Sequence, residues 1–465
     1  MYGLKIDRAS SLSNTKQLEN QLRETILNGK LTAGIKLPPT RSLAKELDIA
    51  RNTVIQVYEQ LIAEGYLESR EGSGTYVADI GKLPVPKLSM YKEMKSIKPV
   101  NRNLISFNAG DPDVHSFPRL KWAKMLRSAC LDAEETSFTY TGFNGYPDLR
   151  KAISSYVYRV KGIHCSEDQI VIVPGAAGGM DILAKALKKK TGRIAMEDPC
   201  IHFVKSIFIS NGYDICPVEV DSQGMDMNSL LGIPKADLVY VVPSHQFPIG
   251  GVLPAVRRIA LLSYASEHNA YVIEDDYDSE FRYKGEAIQA LRNLSPEQVI
   301  YIGSFSKIFL PSLRMGYMIL PEHLIDQVKE LMENTNIWTS KTTQQAMAEF
   351  MKEMLLDHHI YKMKKIYEGK RKYLIKCLTQ AFEGRIKISG EYAGLHLLVS
   401  FDRELNDTDQ QSMEQYDVEA ELVEEYAIRK GKHTNQLVLG YGGLSLTQIE
   451  EGVNRLKQAL HYKNS

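Results

Sequence analysis

Apolar positions at the start of the chain follow the spacing of three helices and then of two short strands. In TKQLENQLRETILNGK, apolar residues recur every three or four positions from Leu18 to Leu27, and Gly29 ends the pattern. RSLAKELDIARNTVIQVYEQLIAEGYL has two further helical patterns, separated by a break at 48–50. LESREGSGTYVADI then reads as strand, glycine-containing turn and strand. This order predicts a winged helix, with a helix–turn–helix and a β-hairpin, over residues 1–78.

Residues 79–103 lack such periodicity. The segment DIGKLPVPKLSMYKEMKSIKPVNRN contains Pro84, Pro86 and Pro99 together with several lysines. Prolines disfavour regular structure and stiffen an extended chain. We therefore predict a multidomain protein in which a semi-rigid linker joins two domains.

Residues 104–465 alternate short apolar runs with amphipathic helical patterns. The runs are QIVIVPGAAGG, RIAMEDP, DLVYVVPSHQ, AYVIEDDYDSEF, VIYIGSFSK and MGYMIL. Buried parallel strands joined by crossover helices give this alternation, so we expect an α/β domain. LHLLVSF, QLVLGYGG and a last helix predict a small α+β subdomain at the C-terminus. Between these two runs, DVEAELVEEYAIRKGKH (417–433) predicts an amphipathic helix with its acids early and its bases late.

Charge and cysteine content narrow the class of protein. Lys and Arg total 57, as do Asp and Glu, so the formal net charge is +0 and any DNA contact must be confined to a small face. The five cysteines form no CxxC pair, which argues against a disulfide scaffold and a metal site. No stretch approaches the run of about 18 apolar residues that spans a membrane. The N-terminus lacks the apolar core of a signal peptide, so we expect a cytoplasmic protein.

The candidate chemistry of the larger domain centres on one lysine. Lys307 follows a predicted strand in YIGSFSKIFLPSLRMGY, while Asp275 and Tyr277 end the preceding one, YVIEDDYD. Ligands of open α/β sheets gather at the carboxyl ends of strands, so these side chains should face one crevice. A lone lysine is usually a solvated surface charge, but this set suits pyridoxal phosphate (PLP). Lys307 can form the Schiff base, Asp275 can keep the pyridine nitrogen protonated, and Tyr277 can donate to the phenolic oxygen.

A phosphate group needs backbone amides, hydroxyls and a cation. VPGAAGG follows a predicted strand and opens a helix, where N–H groups bind anions. The residues that we expect at the phosphate are Gly175, Ala176, Ala177, Ser304, Ser306 and Arg314. VPSHQFPIGG either brings Gln246 or His245 to the cofactor ring or is simply a Pro-Gly turn that caps a strand.

These segments carry a resemblance to a known family. Residues 104–462 resemble fold-type I aminotransferases, and EDDYDSEFRY with GSFSKIFLPSLRMGY resembles the MocR/GabR group of transcription regulators. That group also has an N-terminal GntR-type winged helix, which KLPPTRSLAKELDIARNTVIQVYEQLIAEGYLESREGSGTYV resembles. The resemblance implies PLP as cofactor, with Lys307 as its internal aldimine lysine and Asp275 at the pyridine nitrogen.

The resemblance also implies roles for three further cofactor residues and an assembly. It places Tyr277 beside the phenolic oxygen, and Ser304 and Arg314 at the phosphate. Fold-type I sites commonly form at a dimer interface, so we expect a homodimer. Tyr140 in FTYTGFNGYPDLR is a candidate for reaching the phosphate in the partner subunit, or else belongs to the core.

The first turn of the second helix in the helix–turn–helix is the candidate for reading DNA. A recognition helix presents its first turn to base edges, where Arg can bind guanine and Asn can bind adenine. The glycines of the EGSG turn would let a wing approach the DNA backbone. The residues that we expect at a double-stranded operator are Arg41, Arg51, Asn52, Thr53, Gly72 and Gly74. The alternative is that Arg51 merely begins a solvated helix.

Two functional classes compete for the larger domain. An aminotransferase usually has an aromatic ring over the pyridine and an Arg for the substrate carboxylate. EDPCIHFVKS puts Ile201 where related chains often have the aromatic residue, with His202 or Phe203 as substitutes, and NQLVLGYGG has no Arg. A sensor needs only a ligand-dependent change in state populations. We therefore predict a regulator in which an amine, an amino acid or PLP itself acts as effector and repositions the winged helix. An active aminotransferase with an attached DNA-binding domain is the alternative.

Overall fold

The computed structural model describes residues 2–81, 103–139, 142–189, 192–286 and 288–461. The chain divides into two units, Met1–Val100 and Asn101–Ser465. Most of the predicted linker, 79–103, lies outside the described residues, and so does Tyr140. Among the described helices, none combines the length and the apolar character that crossing a membrane requires.

The N-terminal unit has the predicted order of elements, which confirms the winged helix. Its helices and strands are α1 (Asn14–Leu27), α2 (Thr40–Leu47), α3 (Arg51–Ala63), β1 (Leu67–Arg70) and β2 (Gly74–Val77). β1 and β2 pair as an antiparallel hairpin. The Ser13 side chain caps α1, and Asp48 ends α2 in the left-handed conformation (φ 52°). Leu18 and Leu22 of α1 are fully buried against Val54 and Leu61 of α3, so the predicted apolar stripe forms the core.

The larger unit alternates strands and helices. Its strands are β3 (Ile105–Ser106), β4 (Ile170–Val173), β5 (Arg193–Asp198), β6 (Asp214–Asp221), β7 (Gly224–Met225), β8 (Leu238–Val241), β9 (Tyr271–Asp276), β10 (Val299–Ser304), β11 (Gly316–Ile319), β12 (Ile386–Ser389), β13 (His396–Phe401), β14 (Val418–Glu419), β15 (Glu421–Leu422) and β16 (Gln436–Gly440). Its helices are α4 (Arg119–Leu131), α5 (Pro147–Lys161), α6 (Gly175–Ala186), α7 (His202–Ser210), α8 (Met227–Leu231), α9 (Ala255–His268), α10 (Phe305–Ile308), α11 (Ile325–Thr335), α12 (Lys341–Lys352), α13 (Leu355–Phe382), α14 (Asp407–Gln415), α15 (Val423–Tyr426) and α16 (Leu446–Ala459).

An eight-stranded sheet, in the order β4-β11-β10-β9-β8-β5-β6-β7, forms the centre of this unit. β5, β8, β9 and β10 run parallel, as their continuous apolar runs predict, and β6, which was not predicted, is parallel to β5. The expectation of a parallel strand was wrong for β11, which is antiparallel to both β10 and β4. The segment between β10 and β11 holds only α10 and one short turn of 3₁₀-helix at Pro311–Leu313. Such a segment is too short for the crossover that a parallel pair needs.

A second, four-stranded antiparallel sheet, in the order β12-β13-β16-β15, confirms the small α+β subdomain. The prediction of one helix over 417–433 was wrong. Val418, Ala420 and Leu422 are buried, whereas the residues between them are not, which is the alternation of a strand. β14 pairs with β3, and β15 pairs with β16, so only α15 within this segment is helical.

A buried ion network ties α5 to the strand that carries Asp275. The Lys161 amine lies 2.9 Å from an Asp276 carboxylate oxygen and 3.0 Å from a Glu280 oxygen. Their side chains are 4%, 8% and 6% exposed, respectively. The Tyr301 hydroxyl also donates to Asp276, at 2.7 Å. Removing one member of such a network leaves an uncompensated buried charge.

Lys161→Met is therefore expected to destabilise the protein by about 3–5 kcal/mol, because two buried carboxylates lose their cation. Urea unfolding followed by circular dichroism would measure the change. The matched control is Lys185→Met, which breaks a half-exposed pair of α6, 2.6 Å from Asp181, and should cost less than about 1 kcal/mol. Equal losses for the two variants would show that the buried network does not stabilise the sheet.

Candidate functional site

The carboxyl ends of the sheet strands border a cavity of about 510 Å³. β9 and β10 end at the same edge of the sheet, because Ile302 of β10 lies beside Asp275 of β9. Side chains that follow these strands therefore meet at the cavity. The structure brings eight predicted residues to its wall: Ala176, Ala177, Asp275, Tyr277, Ser304, Ser306, Lys307 and Arg314. They come from three separate strand ends and therefore depend on the fold of the whole sheet.

Lys307 is a partly buried amine at this wall. Its Nζ donates a hydrogen bond to the carbonyl oxygen of Gly110. Burial lowers the pKa of Lys307 below its usual value, while the negative charges of Asp111, Asp278 and Glu421 oppose the shift. A lowered pKa increases the fraction of uncharged amine, which is the nucleophilic form.

Asp275 is a buried carboxylate with one oxygen unpaired. Its Oδ2 accepts a hydrogen bond from the Tyr240 hydroxyl at 2.8 Å, whereas the buried Oδ1 has no partner. Burial raises the pKa of Asp275 to about 7, although the bond from Tyr240 opposes the shift. A cation or N–H donor placed in the cavity would satisfy this oxygen and favour the ionised carboxylate.

Tyr277 belongs to a hydrogen-bonded cluster behind the cavity wall. Its hydroxyl donates to the His245 carbonyl oxygen at 3.1 Å, and His245 Nδ1 lies 3.0 Å from Asp278 Oδ2. The His396 ring packs 4.8 Å from the His245 ring, and burial lowers the pKa of His396 well below its usual value. Burial also raises the pKa of Tyr277 well above its usual value, so its hydroxyl remains a proton donor. The cluster fixes the position of that donor.

The start of α6 and Arg314 lie together at one end of the cavity. Gly175, at the first position of α6, has φ +72°, and a Cβ built there would lie 3.6 Å from Arg314 Cζ. Arg314 Nη2 donates to the Pro174 carbonyl oxygen at 3.4 Å. The Ser304 hydroxyl accepts from the Ser306 N–H at 3.1 Å. A helix N-terminus beside a guanidinium is suited to a phosphate.

The structure does not bring Gln246 to this cavity. Its side-chain amide donates to the carbonyl oxygens of Pro199 (2.9 Å) and Phe247 (2.7 Å), and its Oε1 accepts from the Ile249 N–H at 3.1 Å. The residue is fully buried, so its side chain stabilises the loop instead of facing a ligand. His245 reaches the site only through Tyr277.

Part of the wall was missed by the sequence analysis. The residues that were not predicted there are Asn108, Ala109, Gly110, Phe247, Pro311, Glu421 and Tyr426, whereas Ile201 and Phe203 lie at the wall as considered from the sequence. Ile201, Phe203 and Phe247 supply apolar surface, while the His202 ring stacks on Tyr426 at 4.6 Å. For Asn108, Ala109 and Gly110, the available sequence signal was the glycine turn in FNAGDP. For Glu421 and Tyr426, it was the alternation of apolar and polar residues at 418–422, which is typical of a strand.

The cavity wall near β16 is apolar. Val438 of β16 packs with Ala109, Phe247, Val423 and Tyr426 in one buried cluster. Among the described residues that line the cavity, Lys307 and Arg314 are the cations. The basic loop before β16 is directed elsewhere, since Lys432 Nζ lies 2.5 Å from Glu219 Oε1. The described wall therefore offers a substrate carboxylate no arginine beyond Arg314.

In the N-terminal unit, the predicted DNA-reading residues lie at adjoining helix starts. Arg51 and Asn52 are exposed in the first turn of α3, Thr53 is half-buried, and Arg41 is exposed in the first turn of α2. Arg51 Nε lies 3.5 Å from Thr40 Oγ1, which joins the two helix starts. This geometry permits one surface to contact both bases and phosphates.

The predicted wing is a tight glycine turn flanked by cations. Gly72 and Gly74 have φ of +70° and +117°, which favours glycine at both positions. A Cβ at Gly74 would lie 3.1 Å from Lys36 Cε. Lys36 and Arg70 both approach the Tyr76 ring, at 5.8 and 4.4 Å from its centroid. Arg70 is also paired with Glu68 at 2.6 Å and the turn contains Glu71, so the hairpin carries both signs of charge.

Two family models match the chain in the same order as its units. The model for bacterial regulatory proteins of the gntR family matches residues 14–77. The model for aminotransferase class I and II matches residues 102–455. The aminotransferase fold implies dependence on PLP.

Relatives share both parts. The chain is 32% identical to the probable rhizopine catabolism regulatory protein MocR of Rhizobium meliloti, over 98% of this chain and 95% of that one. It is 30% identical to the pyridoxine biosynthesis regulator PdxR of Corynebacterium glutamicum, over 83% of each. Among solved structures, an archaeal alanine:glyoxylate aminotransferase superposes with a TM-score of 0.72 at 25% identity, covering 78% of this chain and 91% of that one.

These matches extend over both units and agree with the winged helix and the mixed sheet described above. The chain belongs to the MocR-type regulators, in which a gntR-family helix–turn–helix domain precedes an aminotransferase class I and II domain.

Proposed function

We propose that the chain is a PLP-binding transcription regulator in which the larger domain senses a small amine-containing molecule and controls operator binding. One observation carries the proposal. A single cavity joins a partly buried lysine, a buried carboxylate with an unpaired oxygen, and an anion-binding helix start. The domains that we propose to act together are 1–78 and 104–465.

The residues of the cavity fit PLP. When bound, PLP supplies an aldehyde that reacts with primary amines and a ring that withdraws electrons. Asp275 Oδ1, which has no partner, suits the protonated ring nitrogen, and the Tyr277 hydroxyl would exchange its bond to the His245 carbonyl oxygen for one to the phenolic oxygen. Arg314 and the first turn of α6 would bind the phosphate. Lys307 has the lowered pKa that a reactive amine needs.

The wall near β16 favours sensing over turnover of amino acids. Val438 and its apolar neighbours replace the cation that would hold a substrate carboxylate. A missing charge-assisted pair of this kind weakens amino-acid binding by about 1.5–3 kcal/mol. A sensor tolerates this loss, since it requires only unequal affinity of the ligand for two states.

Operator binding rests on the N-terminal unit. Arg51 and Asn52 would read bases, whereas Arg41 and the wing would contact the DNA backbone. A homodimer would present two such heads to a two-fold operator with two half-sites. Ligand binding in the cavity and operator binding would then be linked through the populations of shared states.

The covalent role of Lys307 has a direct test. Protein reconstituted with PLP should keep visible absorbance after dialysis, and borohydride should fix the cofactor to the peptide that contains Lys307. Lys307→Ala should abolish both results, because the reacting amine is gone. Lys124→Ala, which removes an exposed lysine of α4, is the control and should behave as wild type. An adduct at another lysine would contradict the assignment.

Asp275→Asn should change stability and cofactor affinity in opposite directions. Folding raises the pKa of Asp275 from 3.8 to about 7, so the folded protein keeps a proton that the unfolded chain releases. The free energy of unfolding of the cofactor-free protein therefore falls as pH rises through this window. Asn removes the buried charge and should stabilise the cofactor-free protein at pH 8 by about 2–4 kcal/mol, with less effect near pH 4.

The same variant should bind PLP more weakly, because the ring nitrogen loses its anion. Chemical denaturation at several pH values and equilibrium dialysis would measure the two effects. Asp214→Asn changes an exposed carboxylate and serves as control. Destabilisation at pH 8 with unchanged PLP affinity would contradict the proposed role of Asp275.

Arg51→Ala should weaken operator binding by about 1–3 kcal/mol and relax sequence preference, because a base contact is lost. Arg41→Ala should instead weaken binding to all sequences and lower the salt slope by about 1, as expected for a phosphate contact. Fluorescence anisotropy with an operator selected from random DNA would measure both. Arg127→Ala, at an exposed position of α4, should leave binding unchanged.

A further inference from the structure

One charged residue of the cavity has no role in holding the cofactor. Of the charged residues that line the described wall, Lys307, Asp275 and Arg314 each face a distinct group of PLP under the proposed function. Glu421 is the fourth, and it pairs with none of the phosphate, the pyridinium and the phenolic oxygen. It lies on β15, at the end of the cavity formed by the small subdomain.

The Glu421 carboxylate is held in place by a neighbouring phenol. The Tyr426 hydroxyl donates to Glu421 Oε2. Burial raises the pKa of Tyr426, so this hydroxyl remains a donor. Glu421 and Lys307 line the same cavity, so the carboxylate charge can act on a ligand bound there. The second carboxylate oxygen remains available to a donor in the cavity.

Aromatic rings surround this carboxylate. Tyr426 and Phe247 both line the cavity, and their rings meet edge to face at 4.9 Å. The His202 ring stacks on the Tyr426 ring and covers one of its faces. These rings pack on one another and leave Glu421 as the charge at this end of the cavity, so they offer a ligand anion no cation.

The remaining wall at this end also disfavours anions. Val438 and Val423 pack with Tyr426 and Phe247 and give this end of the cavity an apolar backing. Lys307 and Arg314, the cations of the described lining, serve the cofactor under the proposed function. A ligand carboxylate at this position would lie against Glu421 and apolar surface, which costs both repulsion and desolvation.

We infer that the effector is a diamine, with one amine directed to the Lys307 end of the cavity and a second, positively charged amine bound by the Glu421 carboxylate beside Tyr426 and Phe247. This inference rests on the proposed function and specifies its effector class. It excludes amino acids as preferred effectors, since their carboxylate would meet Glu421.

The test compares matched probes on the PLP-reconstituted full chain. Diaminoalkanes of three to five carbons are compared with the ω-amino acid and the monoamine of the same length. The readouts are half-saturation of the change in visible absorbance and the affinity for the selected operator. The best diamine should act at about ten- to a hundredfold lower concentration than its matched amino acid, because one charge-assisted hydrogen bond is gained.

Variants then assign the preference to Glu421. Glu421→Gln keeps the shape and should reduce the diamine preference to within about threefold of the monoamine. Tyr426→Phe keeps the ring but frees the carboxylate, and should give a smaller loss. Glu425→Gln is the control, because Glu425 is exposed and accepts from the Gln410 amide outside the cavity. It should retain the full preference.

The outcomes separate this inference from the proposed function. Protein that binds PLP and operator but prefers the ω-amino acids, or a diamine preference that survives Glu421→Gln, would overturn the diamine assignment alone. Protein that takes up no PLP would overturn the proposed function. Retention of colour and operator binding in Glu421→Gln also verifies that the variant is folded.

Discussion

The site depends on one constraint: the Asp275 carboxylate is buried near the carboxyl end of β9, a central strand of the large sheet, and one of its oxygens is unpaired. Asp275 lies beside Ile302 in the register of β9 and β10, and only Tyr240 donates to its side chain in the described structure. An unpaired buried carboxylate oxygen costs about 1–3 kcal/mol or more. A cationic ligand group beside Asp275 would offset this cost. Lys307 and the first turn of α6 lie around the same cavity.

Much of this arrangement could be predicted from local sequence. The apolar runs located the strands, and strand ends located Asp275, Lys307 and the start of α6 because parallel strands share an edge. Longer-range features were not visible. β11 is antiparallel because its connection to β10 is short. The Gln246 side-chain amide donates to backbone carbonyl oxygens that only the folded loop brings together. Glu421 reaches the cavity from a strand paired far along the chain, at Val438, and its segment was misread as a helix.

An aminotransferase-like domain can serve catalysis or sensing, depending on the side chains that line its cavity. An aminotransferase must hold the substrate carboxylate while protons move, whereas a regulator must bind its ligand unequally in two states. Here apolar residues around Val438 and a carboxylate at Glu421 form the far end of the cavity. Under the proposed function, such a wall would select a cation without supporting amino-acid turnover. The winged helix, with exposed Arg51 and Asn52, would give this selection an output on DNA.

The central claim is that Asp275 keeps the ring nitrogen of bound PLP protonated. Reconstitution with cofactor labelled by ¹⁵N at this nitrogen, followed by NMR spectroscopy at pH 8, tests it directly. The account predicts the chemical shift of a protonated pyridinium in the wild type and of a neutral pyridine in Asp275→Asn. A neutral ring nitrogen in the wild-type protein would contradict it.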